Sequence, residues 1–554
     1  MSVCSKLLAY NLVDCEGLVL LNETFNLIED QFEQAHLVLA PPADGIYSSK
    51  MHDHDMIRDY RNTMVFDTKW QEWKRPPLKP KDQIGDKFTL TLKSLEEQAQ
   101  RGGKPIKYKS LADVGKVGGY VQPPIKAGTY TWVAKLDFEK QYPNAIISTN
   151  AGIRTAIQLG EVYPDKVVDK FGVVWNKKEL IETPIAFFRK DIESVNKKKF
   201  KKWLKLRKES QKISNEYLAK VANQEDPFWI LLDGKQFRVK TFTNGGFGVM
   251  GLKQDRNYSE ITFDACTLTC QDLTMKMILI LTILEYIILG GDTDSCFVVL
   301  KSNNLDDAIK ECESLTREIN KQINDYLNEV YNIQEHTMEV GVETISDKFL
   351  IKAAKNYVQR NVWMKGVRLS VPQLEVKGIE MKKSNTSVVA ADMQEVLVNI
   401  LLDSNNIEKD FSTLINALDK EFKNLPWEYL APRGRIANNL TDYQEGNYNA
   451  RGARNAQTYL NKVINTGDNP FVLSFKVFPK IVNNHYVSVY KGESFVLSFD
   501  EEDIPNLKEM GFVPDFEDLK RSQIHLKAEP WLNLVDVDYY SIKARKMISS
   551  DMIL

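Results

Sequence analysis

At 554 residues the chain is too long for one hydrophobic core, and roughly three or four domains are expected. Its 43% hydrophobic and 27% charged content is that of an ordinary globular protein, and a net charge of −2 excludes attraction of polyanions by total charge. Six cysteines (Cys4, Cys15, Cys266, Cys270, Cys296, Cys312) are too few and too scattered for a disulfide framework and fit a reducing cytoplasm.

The first residues, Met1 to Asp14, lack the basic stretch and apolar run of a secretory signal. Leu18 to Gln34 is helically patterned, and Pro41 to Ser49 is a loop. The cluster His52-Asp53-His54-Asp55 reads as loop surface rather than a zinc site, since no second ligand cluster accompanies it. Lys74 to Lys81 (KRPPLKPK) reads as a linker or ordered loop. TWVAKLDF, Thr131 to Phe138, alternates as a strand and ends near an acidic residue. Lys190 to Asn223 is a long charged helix; Arg189 to Lys212 holds eleven Lys or Arg against three acids. A second helical pattern covers Tyr258 to Leu284. The apolar stretch Met277 to Leu289 carries Glu285 and is too short to span a bilayer, so it reads as a buried helix entering a strand, with no membrane. EYIILGGDTDSCFVVL is then two strands joined at Gly290-Gly291-Asp292-Thr293-Asp294. Beyond Leu369 helix and strand are mixed.

Two aspartates one residue apart in an extended strand face opposite ways. A tight turn lets Asp292 and Asp294 converge, with the glycines supplying the positive φ. Magnesium prefers oxygen ligands and commonly takes one or two carboxylates plus substrate phosphates. Asp137, at the end of a similar strand, offers a second carboxylate for a two-metal clamp. Alone, an Asp-Thr-Asp turn is only a polar hairpin; the segment after Asp137 tips the reading toward metal.

That segment, Asp137-Phe138-Glu139-Lys140-Gln141-Tyr142-Pro143-Asn144-Ala145-Ile146-Ile147, resembles motif A of the family B DNA polymerases. Gly291-Asp292-Thr293-Asp294-Ser295 resembles their motif C, and Lys240-Thr241-Phe242-Thr243-Asn244-Gly245-Gly246-Phe247-Gly248 their motif B, in the family's order. Lys355-Asn356-Tyr357 resembles the Lys-Lys-Arg-Tyr element that grips the primer. Gly378-Ile379-Glu380 with Lys383-Ser384-Asn385-Thr386 resembles the palm-to-thumb junction of T-even-type bacteriophage polymerases.

The resemblance implies an α+β right hand: an antiparallel-sheet palm, helical fingers and a mixed thumb, preceded by a fragment of an exonuclease domain. Its parts would be that fragment (1–65), a connecting segment (66–125), palm with motif A (126–175), fingers (176–252), palm with motif C and primer grip (253–380), and thumb with tail (381–554). It implies template-directed DNA synthesis with two Mg²⁺ ions, for which Mn²⁺ can substitute. Asp137 and Asp294 would bridge them, with the Phe138 carbonyl as a further ligand and Asp292 in support. Backbone N–H groups of Lys140 and Gln141 would cradle phosphate, and Tyr142 would exclude a 2′-hydroxyl.

Lys198 and Lys202, four apart on one helix face, would meet Lys240 and Asn244 from a returning helix around the dNTP triphosphate. Lysine at 198 stands where the family favours arginine and lacks its bidentate fork. Phe247 would stack under the nascent base pair, and Gly246 replaces a bulkier residue. The short Lys202-to-Lys240 interval implies stubby fingers. Lys355 and Tyr357 would hold the primer strand, and Arg433, Arg435, Arg451 and Arg454 would contact phosphates of the primer–template.

Tyr10-Asn11-Leu12-Val13-Asp14 resembles the last exonuclease motif, with two further acidic motifs expected upstream and absent. The expectation is a C-terminal, polymerase subunit of a split phage enzyme in the cytoplasm of an infected bacterium. A second polypeptide would supply the N-terminal and exonuclease domains and complete a site at Tyr10 and Asp14. The tail, Met547 to Leu554, resembles a peptide that docks on a sliding clamp, or is a frayed terminus. The alternatives are an exonuclease-less polymerase acting alone, a protein-primed relative, and a non-catalytic DNA-binding scaffold.

Overall fold

In the computed structural model of the chain, the residues described are 35, 38–40, 48–60, 87–101, 118–122, 127–221, 226–253, 255, 257–378, 388–403, 409–410, 413, 427–476, 481–482, 485–486, 495–509 and 513–514. Tyr10, Asp14, the Lys74–Lys81 stretch, residues 379–387 and the C-terminal tail lie outside them.

The first described helices are α1 (Ser48–Tyr60) and α2 (Leu92–Arg101). Strands β1 (Tyr120–Gln122) and β2 (Gly128–Phe138) follow, then α3 (Gln141–Thr149). β2 lies near the middle of a seven-stranded antiparallel sheet. Its alternation divides its side chains between two faces. Ala134, Leu136 and Phe138 enter the main core, while Val133 joins a smaller cluster with Leu289, Phe297, Phe349 and Tyr357. Lys135 and Asp137 share the parity of Val133, which carries Asp137 away from the main core.

After β2 come two small antiparallel sheets, β3 to β5 (Leu159–Val162, Lys166–Asp169, Val174–Asn176) and β6 with β7 (Leu180–Glu182, Phe187–Arg189). Helices α4 (Val195–Val221) and α5 (Pro227–Met250) form an antiparallel pair. Asn196 reaches the Met250 sulfur at one end, and Ser214 reaches Asp233 near the other. Pro227 at the first position and Asp226, which accepts the Phe228 and Trp229 N–H groups, start α5. At 27 and 24 residues these helices extend roughly 35–40 Å.

Helix α6 (Glu260–Ile283) is apolar enough and long enough to cross a membrane by composition, but 67% of its most apolar window is buried within the protein. It is the core helix under the sheet and runs into β8 (Ile287–Thr293) and β9 (Ser295–Val299), as the sequence suggests. Its buried Asp272 accepts hydrogen bonds from the Leu90 N–H, Tyr326 and Tyr331, pinning residues ahead of α2 to the core.

Helix α7 (Leu305–Glu329) covers the same face, and β10 (Val340–Ala353), β11 (Asn356–Met364) and β12 (Val367–Lys377) complete the sheet in the order β1-β8-β9-β2-β10-β11-β12. After α8 (Val388–Asp403), a second core gathers α9 (Tyr448–Tyr459) on strands β13 (Phe471–Lys476) and β14 (Phe495–Phe499).

One surface expectation fails. His52 and Asp55 lie on α1 and are buried, with Met51 and Met56 on the same side. Positions 51, 52, 55 and 56 form one helical face, a period that a run of polar letters conceals.

Candidate active site

The carboxylates converge because three strands place them. Asp137 lies across from Ser295 of β9 and from Gly341 of β10. The Phe138 N–H donates to the Asp294 carbonyl at 3.0 Å, so Asp294 sits beside Asp137 at the hairpin tip. The tip is closed by the Asp294 N–H on the Asp292 carbonyl, 2.8 Å. Its left-handed residue is Thr293, φ 63°, not a glycine. Gly291 is required for closeness instead: a Cβ there would strike the Ser295 carbonyl oxygen.

Asp137 and Asp294 line a cavity of about 700 Å³ with Phe138, Glu139, Lys140, Gln141, Tyr142, Arg207, Gln211, Lys240, Asn244, Phe247, Glu343 and Lys365 among its walls. Burial, then the neighbouring Asp294 and Glu343 charges, push the Asp137 carboxyl up to about 7. Asp294 is also raised, chiefly by burial. One Asp137 oxygen, Oδ1, is buried with no hydrogen-bond partner. Two crowded carboxylates with an orphaned oxygen fit a divalent cation, which supplies the missing charge. Among the described residues no group of three or more His, Cys, Asp and Glu forms a complete metal cage. An ion here would therefore need backbone or substrate oxygens as well. The Phe138 carbonyl is available in one respect: Val340, across from it, gives its N–H to Asn320 at 2.8 Å.

Asp292 goes elsewhere. It does not line the cavity; it pairs with Lys355 at 3.0 Å and accepts from Thr293 Oγ1. The turn therefore gives Asp292 and Asp294 different partners, although the Asp292 charge still helps to raise the Asp294 carboxyl. A third carboxylate, Glu343, takes its place. The β10–β2 register slips between Val342 and Thr344, leaving Glu343 as the extra residue of a bulge. It pairs with Lys135 at 2.5 Å and Lys365 at 3.7 Å. Burial raises its carboxyl, but the Lys135 hydrogen bond and charge outweigh that and the net shift is downward.

Facing the carboxylates, α3 follows its N-cap residue Lys140, which is left-handed at φ 50°. Its first-turn N–H groups lack intrahelical acceptors. Gln141 offers only backbone, because its buried side chain donates to the Cys270 carbonyl and Thr274. Tyr142 packs against Phe247, ring centres 4.5 Å apart, and Phe247 stacks on Phe263 at 4.6 Å.

From the helix pair, Lys240 and Asn244 line the cavity as the sequence suggests, but Lys198 and Lys202 do not. Lys198 is exposed, and Lys202 pairs with Asp55 at 3.0 Å. The cavity side of α4 is Arg207 with Gln211, again four apart. Desolvation lowers the Arg207 guanidinium, and its Nε is buried without a partner. The missed signal was register: with Asn196 level with Met250 and Ser214 with Asp233, Arg207 is level with Lys240, whereas lysine density pointed to 198–202.

The remaining candidates separate from the site. Tyr357 is 1% exposed and packs with Phe297 and Phe349, so its ring is core. Arg454 donates to the Leu440 and Tyr443 carbonyls, Arg451 is buried, and Arg433 lies 3.5 Å over the Phe471 ring. Arg435 is exposed.

Residues 81–433, more than half of the chain, match the family described as DNA polymerase family B. The chain belongs to that family. It is similar to DNA polymerase 2 of Aeropyrum pernix, 24% identical over 335 residues that cover 60% of this chain and 36% of that protein. The DNA polymerase of Archaeoglobus fulgidus is 24% identical over 327 residues, covering 56% and 36%. The DNA polymerase alpha catalytic subunit of Arabidopsis thaliana is 22% identical over 349 residues, covering 63% and 20%. The match thus spans 36% or less of the length of each of these relatives.

Proposed function

We propose that this family B chain carries out template-directed DNA synthesis, transferring dNMP from a dNTP to a primer 3′-hydroxyl. The observation that carries the reading is the pairing of two crowded carboxylates, Asp137 and Asp294, with Arg207, Lys240 and Asn244 across one cavity. The sheet would be the palm, α4 and α5 the fingers, and the second core the thumb. Asp137, Asp294 and the Phe138 carbonyl would hold two divalent cations, Mg²⁺ with Mn²⁺ as substitute. Those ions would activate the 3′-hydroxyl and offset charge on the departing pyrophosphate.

The protein's own groups do the rest. Arg207 and Lys240 bind triphosphate oxygens; the α3 N-terminus adds N–H donors and the positive end of its dipole. Tyr142, braced by Phe247, closes the space a ribose 2′-hydroxyl would occupy. Asp292 holds Lys355 in place near the primer strand.

The test is primer extension with Mg²⁺, comparing the natural chain with Asp294→Ala. Extension by the natural chain alone supports the reading; equal extension by both proteins would refute it.

We also propose the finer assignment: a T-even-type phage polymerase whose proofreading site, with Tyr10 and Asp14, is completed by a second polypeptide, and whose tail meets a sliding clamp. Its support is the sequence resemblance of those segments. Co-purification of a partner rich in acidic motifs, and exonuclease activity that needs both chains, are the expected results. Nuclease activity of this chain alone, dependent on Tyr10 and Asp14, would remove the partner from the proposal. Loss of clamp-stimulated processivity on deleting the last eight residues is the expected sign of clamp docking.

A further inference from the structure

Helix α1 supports the site from behind, and the contact is specific. Asp55, whose side chain is 2% exposed, accepts from Lys202 Nζ at 3.0 Å and from the Trp203 indole N–H at 3.0 Å. Arg58 also donates to it, at 2.8 Å. His52 stacks flat on Phe242 with ring centres 4.0 Å apart, and Met51 packs with Trp203, Val239 and Phe242. Gly246 makes room for this: a Cβ there would lie 3.0 Å from His52 Cε1 and 3.1 Å from Phe200 Cζ. The motif-B glycine is therefore matched to α1.

These contacts fall on chosen faces. On α5, Phe242 and Gly246 face α1, while Lys240 and Asn244 face the cavity. Residues two apart on a helix differ by about 200°, so the two pairs are back to back. On α4, Trp203, Arg207 and Gln211 follow at steps of four, a stripe that drifts by about 40° per step. Its first member is anchored on Asp55; the next two line the cavity.

We infer that Asp55 is a positioning residue for the incoming nucleotide: by holding Lys202 and the Trp203 indole it sets the roll of α4, and thereby aims Arg207 and Gln211. This rests on the site being a nucleotidyl-transfer centre. Lys202 then acts through Asp55 and not by touching the triphosphate.

The experiment compares the natural chain with Asp55→Ala, Lys202→Met and the double variant. Single-nucleotide incorporation gives KM for dNTP and kcat; amide hydrogen exchange of residues 203–211 is followed in the free protein. Each single change should raise KM about tenfold while kcat falls less than about threefold, since ground-state nucleotide binding is what is lost. The double variant should be no worse than Asp55→Ala, and exchange across 203–211 should quicken. Additive effects on KM would return Lys202 to direct phosphate contact and overturn the inference, as would unchanged KM and exchange. Should Asp55→Ala fail to fold, amide exchange across 203–211 in Lys202→Met, a side chain 40% exposed, decides: quickened exchange supports the anchor and unchanged exchange overturns it. A natural chain that cannot extend primers would remove the polymerase reading, while exchange across α4 would still judge the anchor itself.

Discussion

The two walls of the cavity are built by different devices. On the carboxylate wall, strand register sets the geometry: Asp137 sits between Ser295 and Gly341, and backbone hydrogen bonds hold Asp294 beside it. On the cationic wall, helix phase sets it: Arg207, Gln211, Lys240 and Asn244 face inward because α4 and α5 are rolled that way. A sheet fixes its residues to within one position, since a slip of one reverses the face. A helix roll is continuous, and any of several lysines along α4 would serve at a different roll. The carboxylate wall should therefore be intolerant and the cationic wall graded.

The largest effect tests the first half of that contrast. Asp137→Ala and Asp294→Ala should each lower primer extension by about 10³-fold or more, because each removes a charge from the proposed metal site. Asp292→Ala should cost much less and should act on primer binding, through Lys355, rather than on metal dependence. Equal losses at Asp292 and Asp294, with equal shifts in the Mg²⁺ requirement, would put Asp292 back among the metal ligands.

The second half predicts a smaller, graded loss. Arg207→Ala should raise KM for dNTP by about tenfold or more, a charge-assisted contact being removed. Lys198→Ala should leave KM within about twofold, as expected for an exposed side chain. A reversal of that order would mean that α4 binds nucleotide at a different roll.

How much of this was legible follows from the same physics. β2, the hairpin, α4 and α6 were readable because alternation and helical spacing are local properties, while α5 was readable only through motif B. The pairing of Asp137 with Asp294 was readable through the motifs. Glu343 was not, because a bulge in β10 aims it and bulges leave no period in the sequence. Arg207 was present in the basic run, but charge density does not encode roll. Asp55 and His52 looked like surface because what buries them lies far along the chain: Asp55 accepts from Lys202 and Trp203, and His52 stacks on Phe242. Tyr357 followed its motif in sequence while its ring entered the core.

Acidity provides a further way to separate the walls. The Asp137 carboxyl is raised to about 7 in the fold, against an ordinary value of 3.8 when unfolded. A raised carboxylate costs stability once the unfolded chain ionises and the fold does not. Without metal, the protein should lose stability as pH rises from about 4 to about 7 and change little from this group above that. Asp137→Asn should flatten the trend and stabilise the metal-free protein at pH 8 by on the order of 2 kcal/mol, less than the full shift implies because the site is partly solvated. Added Mg²⁺ should stabilise the natural chain at pH 8 and leave Asp137→Asn almost unmoved. Thermal melts across pH, with and without Mg²⁺, measure this; a natural chain indifferent to Mg²⁺ at pH 8 would count against a cation at Asp137.

The smallest effects belong to the second core, where arginines expected on DNA divide by what they touch. Arg454 commits its guanidinium to the Leu440 and Tyr443 carbonyls, closing the turn before α9. Its replacement by alanine should cost about 1–3 kcal/mol of stability, the value of charge-assisted hydrogen bonds whose acceptors lose their donor. DNA affinity of the folded fraction should barely change. Arg435 is exposed, so Arg435→Ala should leave stability within about 0.5 kcal/mol. If Arg435 does meet a phosphate, that change should reduce the slope of log affinity against log salt by roughly 0.9, the mark of one counterion no longer released. Melting curves and salt titrations on the same two variants distinguish the roles. A stable Arg454→Ala protein with a shallower salt slope would move Arg454 onto the DNA, and the turn it closes would then need another support.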